Sequence, residues 1–167
     1  MKPLKKDVKG RPLKNIIFFK TDFGEMAAAE LDGLICDVFL TSRTLLSNVV
    51  EKETAVLRKA RRQILEYLGG RRRKFDLPLN LNGSEFQRTV LEAVRRIPYG
   101  ETRSYKQIAE DVGHPRAARA VGTANRLCRI SIIVPCHRVI RSNGSAASFG
   151  DENCLRDYLL KLEADNR

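Results

Sequence analysis

Hydrophobic positions change their spacing along this chain, and the change predicts its elements. Asn15 to Phe19 and Leu34 to Leu40 hold β-favouring runs (Ile16, Ile17, Phe18, Phe19; Ile35, Val38, Phe39) separated by turn-rich sequence. These predict strands of a small antiparallel sheet. From Lys52 to Leu68 the spacing becomes four, with Val56, Ala60, Ile64 and Leu68 on one stripe that stops at Gly69-Gly70, so a helix is predicted there. Arg71 to Lys74 opens a linker, and Asp76 to Asn82 reads as an extended, Pro-containing connection with a domain boundary near Gly83. Beyond it, Ser84 with Gln87 three residues on is a capping box before the stripe Phe86, Val90, Val94, Ile97, which Pro98 and Gly100 end. Ser104 and Gln107 repeat the device before Tyr105, Ile108, Ala109 and Val112, and Gly113 stops that helix. Pro115 then occupies a first helical position for a third helix running to about Arg126. Ile130 to Val134 reads as a short strand broken by Pro135, and Leu155, Leu159 and Leu162 mark a last helix near Asn153 to Glu163.

With 167 residues, 43% of them hydrophobic, the chain suits one ordinary domain or two small ones. The predicted fold class is α+β: a small N-terminal antiparallel sheet plus helix, then a mainly helical C-terminal domain with a helix-turn-helix. The divisions are a basic flexible arm over 1–14, an N-terminal α/β domain with its linker over 15–83, and a C-terminal domain over 84–167. Basic residues outnumber acidic ones 31 to 20, a net charge of +11, which favours a polyanionic partner. Residues 104–141 concentrate this excess, with seven basic against two acidic. No apolar stretch approaches the roughly 18 residues of a spanning helix, and Met1 to Arg11 lacks the apolar core of a signal peptide. Four cysteines without a CxxC spacing and two histidines make a zinc module hard to assemble.

Two short helices joined by a Gly-containing turn read as a helix-turn-helix. On its second helix Arg116, Arg119, Thr123 and Arg126 lie three or four positions apart and share one face, while Ala117, Ala118, Ala120 and Gly122 keep the bulk small. Directly after the apolar run come Cys136 and His137; an imidazole beside a thiol can take its proton and leave the thiolate that nucleophilic chemistry requires. On a strand, adjacent side chains face opposite ways, so direct contact of the two needs a bend or a bridging water.

The blocks Ile97-Pro-Tyr-Gly-Glu-Thr-Arg-Ser-Tyr105, Arg119-Ala-Val-Gly122 and Ile133-Val-Pro-Cys-His-Arg-Val-Ile140 resemble the O6-alkylguanine-DNA alkyltransferases, also called methylated-DNA–protein-cysteine methyltransferases. The likeness can be followed from about Ile64 to Glu163. It implies a protein that binds double-stranded DNA through the minor groove, flips an O6-alkylguanine out of the stack and takes the alkyl group irreversibly onto a cysteine. By position Cys136 is the acceptor, His137 passes its proton through a water towards Glu163, and Tyr105 touches both the base and the neighbouring phosphate. Arg119 fills the vacated space, with Arg116, Thr123 and Arg126 on the DNA. Val139, Asn125, Ser148, Phe149 and Gly150 line the substrate pocket. The resemblance further implies a monomer that acts once, with no metal, nucleotide or organic cofactor and no membrane partner, in the nucleus or, for a prokaryotic source, the cytoplasm. Where the family carries an Asn before the acceptor segment this chain has Cys128-Arg129, and Asp151-Glu152 stand in its pocket loop. The alternative is a lesion-recognition protein that binds alkylguanine without transferring the group.

Overall fold

The computed structural model describes residues 9–43, 47–145 and 153–167. Its sheet holds β1 (Lys14–Thr21), β2 (Gly24–Leu31), β3 (Leu34–Leu40) and β4 (Val49–Glu51) in the order β3-β2-β1-β4. β1, β2 and β3 are joined by antiparallel hairpins, whereas β4 pairs parallel to β1, so the sheet is mixed and not purely antiparallel.

The middle strand, β2, occupies the stretch expected to be turn. Its Met26-Ala-Ala-Ala-Glu30 core favours a helix on local propensity. Tertiary context overrides that preference: Met26, Ala27, Ala28 and Ala29 are fully buried between two strands. The expected turn signal survives in Asp32-Gly33, where both residues have positive φ (53° and 79°) and join Leu31 to its partner Leu34 as a two-residue hairpin loop.

One face of the sheet, with Ile17, Phe19, Met26, Ala28 and Val38, packs against α1 (Ala55–Leu68). Thr54 caps α1 by accepting from the Leu57 N–H. Its far end closes as a Schellman motif, the Gly70 and Arg71 N–H groups donating to Tyr67 O and Glu66 O, with Gly70 at φ 71°. The helix thus begins three residues later than the periodicity predicts, because residues 49–51 pair as β4. The extended connection follows the free edge of β3, where the Ile35 N–H donates to Pro78 O and the Asn80 N–H to Ile35 O.

Both predicted capping boxes form, on α2 (Glu85–Arg95) and, after the short strand β5 (Arg103–Ser104), on α3 (Tyr105–Asp111). α4 (Ala118–Arg126) starts at Ala118, not at Pro115, because the 112–117 turn places Pro115 and Arg116 before the helix. β6 (Val139–Ile140) pairs with β5, and α5 (Asn153–Asp165) closes the described chain.

Ile130 to Val134 is not a strand. Ile130 bridges Val38 of β3, Ser131 bridges Val134, and between them Ile132 turns with φ 71°, a conformation costly for a β-branched residue. The apolar run therefore buries as a kinked segment and delivers Pro135 to a 3-10 turn, Cys136–Arg138.

Buried side chains of one face of the sheet, α1, the connection and α2 to α5 form one continuous core, while Ile16, Ala27, Ala29 and Cys36 make a smaller separate cluster on the other face. Lys14, last residue of the expected arm, already belongs to β1, and residues 1–8 lie outside the described part. Among the described residues no helix is long and apolar enough to cross a membrane.

Candidate active site

The 3-10 turn resolves the geometric difficulty of adjacent Cys and His residues, because its tight winding sends consecutive side chains into different surroundings without a strand's strict alternation. Cys136 is 9% exposed, at the edge of the core. Its carbonyl accepts from the Asn125 side-chain amide at 3.2 Å and from the Val139 N–H. Asn125 is buried on α4, so this helix fixes the turn that carries the thiol.

His137 is buried, and its Nε2 lies 2.6 Å from Glu163 Oε1 on α5. Facing a carboxylate, Nε2 carries the hydrogen and donates, which leaves Nδ1 as the acceptor nitrogen of the neutral ring. Glu163 is also held by Arg138, whose Nε donates to Oε2 at 2.9 Å, by the Tyr67 hydroxyl, and by the Gly100 N–H at 2.8 Å. Gly100 has φ 77°, and a Cβ there would stand 2.8 Å from Arg167 Cγ, so only glycine brings this N–H to the carboxylate. Arg138 additionally donates to Ile97 O at 2.7 Å.

Burial alone raises the Glu163 pKa, but the hydrogen bonds from His137 and Arg138 outweigh it and bring it down to about 2. Burial lowers the His137 pKa, with the bond to Glu163 opposing it, so the imidazole rests neutral at pH 7. Arg138 supplies the positive charge that balances the carboxylate, which frees His137 from that task. The Tyr67 phenol is pushed well up by burial and then by the Glu163 charge, so it remains a donor.

At the first turn of α3, burial raises the Tyr105 pKa, against a lowering by a hydrogen bond with the Asn125 side chain and then by the Arg141 charge. The Tyr105 ring lies against Gly122 of α4. Arg119, Thr123 and Arg126 are exposed on α4, with Arg116 exposed in the preceding turn and not on the helix face. Val139 is fully buried. Ser148, Phe149 and Gly150, with Asp151 and Glu152, lie outside the described residues.

The Cys128-Arg129 segment is anchored from the other half of the chain. Arg129 Nε pairs with Asp37 Oδ1 of β3 at 2.6 Å, Asp37 is 1% exposed and also binds Lys14, and the Val38 N–H donates to Arg129 O at 2.7 Å. Cys36 beside Asp37 is a poor nucleophile: burial and then the Asp37 charge push its thiol up to about 12.

Two residues of the cluster escape sequence reasoning. Tyr67 lies on the buried stripe of α1, 96 positions from Glu163, with no local signal of its role. Arg138 stands inside the Pro-Cys-His-Arg block, where its companions draw the attention.

A relative from Bacillus subtilis, the constitutive methylated-DNA–protein-cysteine methyltransferase, is 41% identical over 151 residues, covering 86% of this chain and 92% of its own length. The chain belongs to the methylated-DNA–protein-cysteine methyltransferase family. A family model described as the DNA-binding domain of 6-O-methylguanine DNA methyltransferase matches residues 85–165. A methyltransferase of the same name from Methanosarcina acetivorans is 48% identical over 106 residues, 64% of this chain and 68% of its own. In structure, the chain resembles Mycobacterium tuberculosis OGT, solved in complex with DNA, at a TM-score of 0.85 with 36% identity over 91% of this chain and 94% of that one. The α+β architecture of this methyltransferase is the one that likeness describes.

Proposed function

We propose that this protein repairs DNA by direct, irreversible transfer of the alkyl group from O6-alkylguanine in duplex DNA to Cys136, one event per chain. The observation that carries the residue assignment is the buried His137–Glu163 pair at 2.6 Å directly after a cysteine at the edge of the core. The Cys136 thiol gives its proton through a water to His137 Nδ1, and Glu163 steadies the imidazolium that forms. The thiolate attacks the alkyl carbon: the S–C bond forms as the C–O6 bond breaks, and guanine departs as an oxyanion that takes up a proton. A thioether has no easy return, so the chain is spent.

Flipping brings O6 within reach, because a stacked and paired guanine hides it. Arg119 enters the gap it leaves, Arg116, Thr123 and Arg126 meet the backbone, and Tyr105 presses on the flipped nucleotide. Helices α3 and α4 act as the helix-turn-helix in the minor groove, where an Ala-rich face allows close approach. Asn125 and Val139 line the pocket. The division at Gly83 is functional: 15–83 clamps the segment before Cys136 through Asp37 and reaches Glu163 through Tyr67, while 84–167 reads DNA and reacts. The named relatives come from bacteria and an archaeon, organisms without a nucleus, which supports cytoplasmic action over nuclear action.

The test is stoichiometry. Mixed with excess duplex containing O6-methylguanine, the protein should repair a number of lesions equal to its own amount and then stop. Continued turnover would contradict the suicide reaction, and tight lesion binding without loss of the methyl group would establish the recognition-only alternative.

A further inference from the structure

A pocket borders the relay, lined in part by Arg138 and by Pro135, the residue before Cys136. Its volume is about 430 Å³, and five cationic side chains line it: Arg73, Lys74, Arg95, Arg96 and Arg138, with no carboxylate among its lining residues. Arg95 is paired with Glu92 and Arg138 with Glu163, while Arg73, Lys74 and Arg96 have no carboxylate partner among the described residues. Exposed cations gathered on one concave surface without a carboxylate raise a positive potential there, which attracts an anion. The remaining wall is apolar, built by Phe75, Leu77, Leu79, Ile97 and Ile132.

Tyr99 ties this pocket to the reaction centre. Its ring touches the Arg73 guanidinium at 5.5 Å and the Arg138 guanidinium at 5.6 Å, and Arg138 holds Glu163. The Tyr99 hydroxyl is buried and has no hydrogen-bond partner among the described residues.

We propose that this pocket binds a nucleotide, its phosphate held by Arg73, Lys74 and Arg96 and its ring laid on the apolar wall beside Phe75. A bare phosphate would use the cations and leave that wall unused, and an uncharged ring would do the reverse. The volume lies in the range of sites for small organic ligands. The nucleotide has two possible sources, a free mononucleotide or one residue of a nucleic-acid strand that passes this face, and the same chemistry serves both. The inference does not depend on Cys136 being the alkyl acceptor.

The experiment is a titration of the ¹⁵N-labelled full chain followed by amide chemical shifts, using guanosine 5′-monophosphate, a 5′-phosphorylated trithymidylate and inorganic phosphate in parallel. Saturable shifts are expected at residues 73–75 and at 96, 97, 99 and 100. The Arg73→Ala/Arg96→Ala variant should weaken binding at least about tenfold, as loss of charge-assisted bonds requires. Both side chains are exposed, and the spectrum of the variant reports its folding directly. Lys20→Ala/Arg62→Ala removes the same charge elsewhere and should change affinity by no more than about twofold, the scale of screened surface charge. Tighter binding of the trinucleotide identifies a strand as the source, and tighter binding of the monophosphate identifies a free nucleotide. Shifts confined to residues 116–126, equal affinity for inorganic phosphate, equal weakening in both variants, or no saturation would overturn the proposal.

Discussion

The buried cluster around Glu163 and the exposed face of α4 carry positive charge under opposite conditions. In the cluster, the Arg138 guanidinium, fixed by several hydrogen bonds to Glu163 and to Ile97 O, meets a Glu163 carboxylate that is 1% exposed. On α4, Arg119 and Arg126 stand in water. Charge inside a low-dielectric core must be balanced group by group, so a single substitution there is felt by the fold. Charge on the surface acts as a field on a polyanion, so its loss is felt by binding. Stability and alkyl transfer should therefore separate between the two regions.

The sharpest break of this contrast is Glu163→Gln, which leaves Arg138 buried without its counter-charge. Chemical denaturation should show a loss of about 3–5 kcal/mol, the usual penalty for breaking a buried ion pair. It should also remove a pH dependence. The Glu163 carboxyl titrates at about 2 in the folded chain, below its ordinary 4.5, so it binds protons more weakly folded than unfolded. Its stabilisation is complete above the ordinary carboxylate range and is lost as pH falls through that range towards about 2. Denaturation midpoints of the variant should fall less steeply over this interval.

Asp37→Asn tests the clamp next. With Lys14 and Arg129 deprived of a charged acceptor, stability should drop by about 1.5–3 kcal/mol, the worth of hydrogen bonds to a charged group. Single-turnover transfer should slow as well, because residues 129–131 position the turn that carries Cys136.

Tyr67→Phe keeps the ring and deletes one donor to Glu163, for an expected cost of about 1–2 kcal/mol. A Glu163 with one donor fewer is more basic and supports the imidazolium better. The acid limb of the pH–rate profile for transfer should therefore move to higher pH, a change that lost packing alone would not produce.

Arg119→Ala should leave stability within about 0.5 kcal/mol of the parent. Filter-binding titrations should nonetheless show weaker duplex affinity, with the slope against log salt reduced by about 1. A large stability loss here would erase the distinction between the two regions.

What the residues reveal in advance follows the range of the interactions. Both capping boxes are legible because Ser84 with Gln87 and Ser104 with Gln107 close within one turn. Strand β2 is not, since Met26 to Ala29 favour a helix until neighbouring strands bury them. Ile130 to Val134 misleads for a related reason: a β-branched run signals burial, and only the φ of Ile132 reveals that it turns. In the site, the Pro-Cys-His-Arg block and Glu163 are visible through resemblance to the family. The clamp Asp37–Arg129 and the donor Tyr67 are not, because they join positions 92 and 96 apart in sequence and carry no local pattern.

The most direct measurement is peptide mass spectrometry after reaction with duplex DNA containing O6-methylguanine. The chain offers four thiols, among which Cys36 is held inert and Cys136 alone is followed by the buried relay. The account predicts one methyl group on the peptide bearing Cys136 and none on those bearing Cys36, Cys128 or Cys154. A methyl group on any other cysteine, or a bound lesion with no gain in mass, would contradict it.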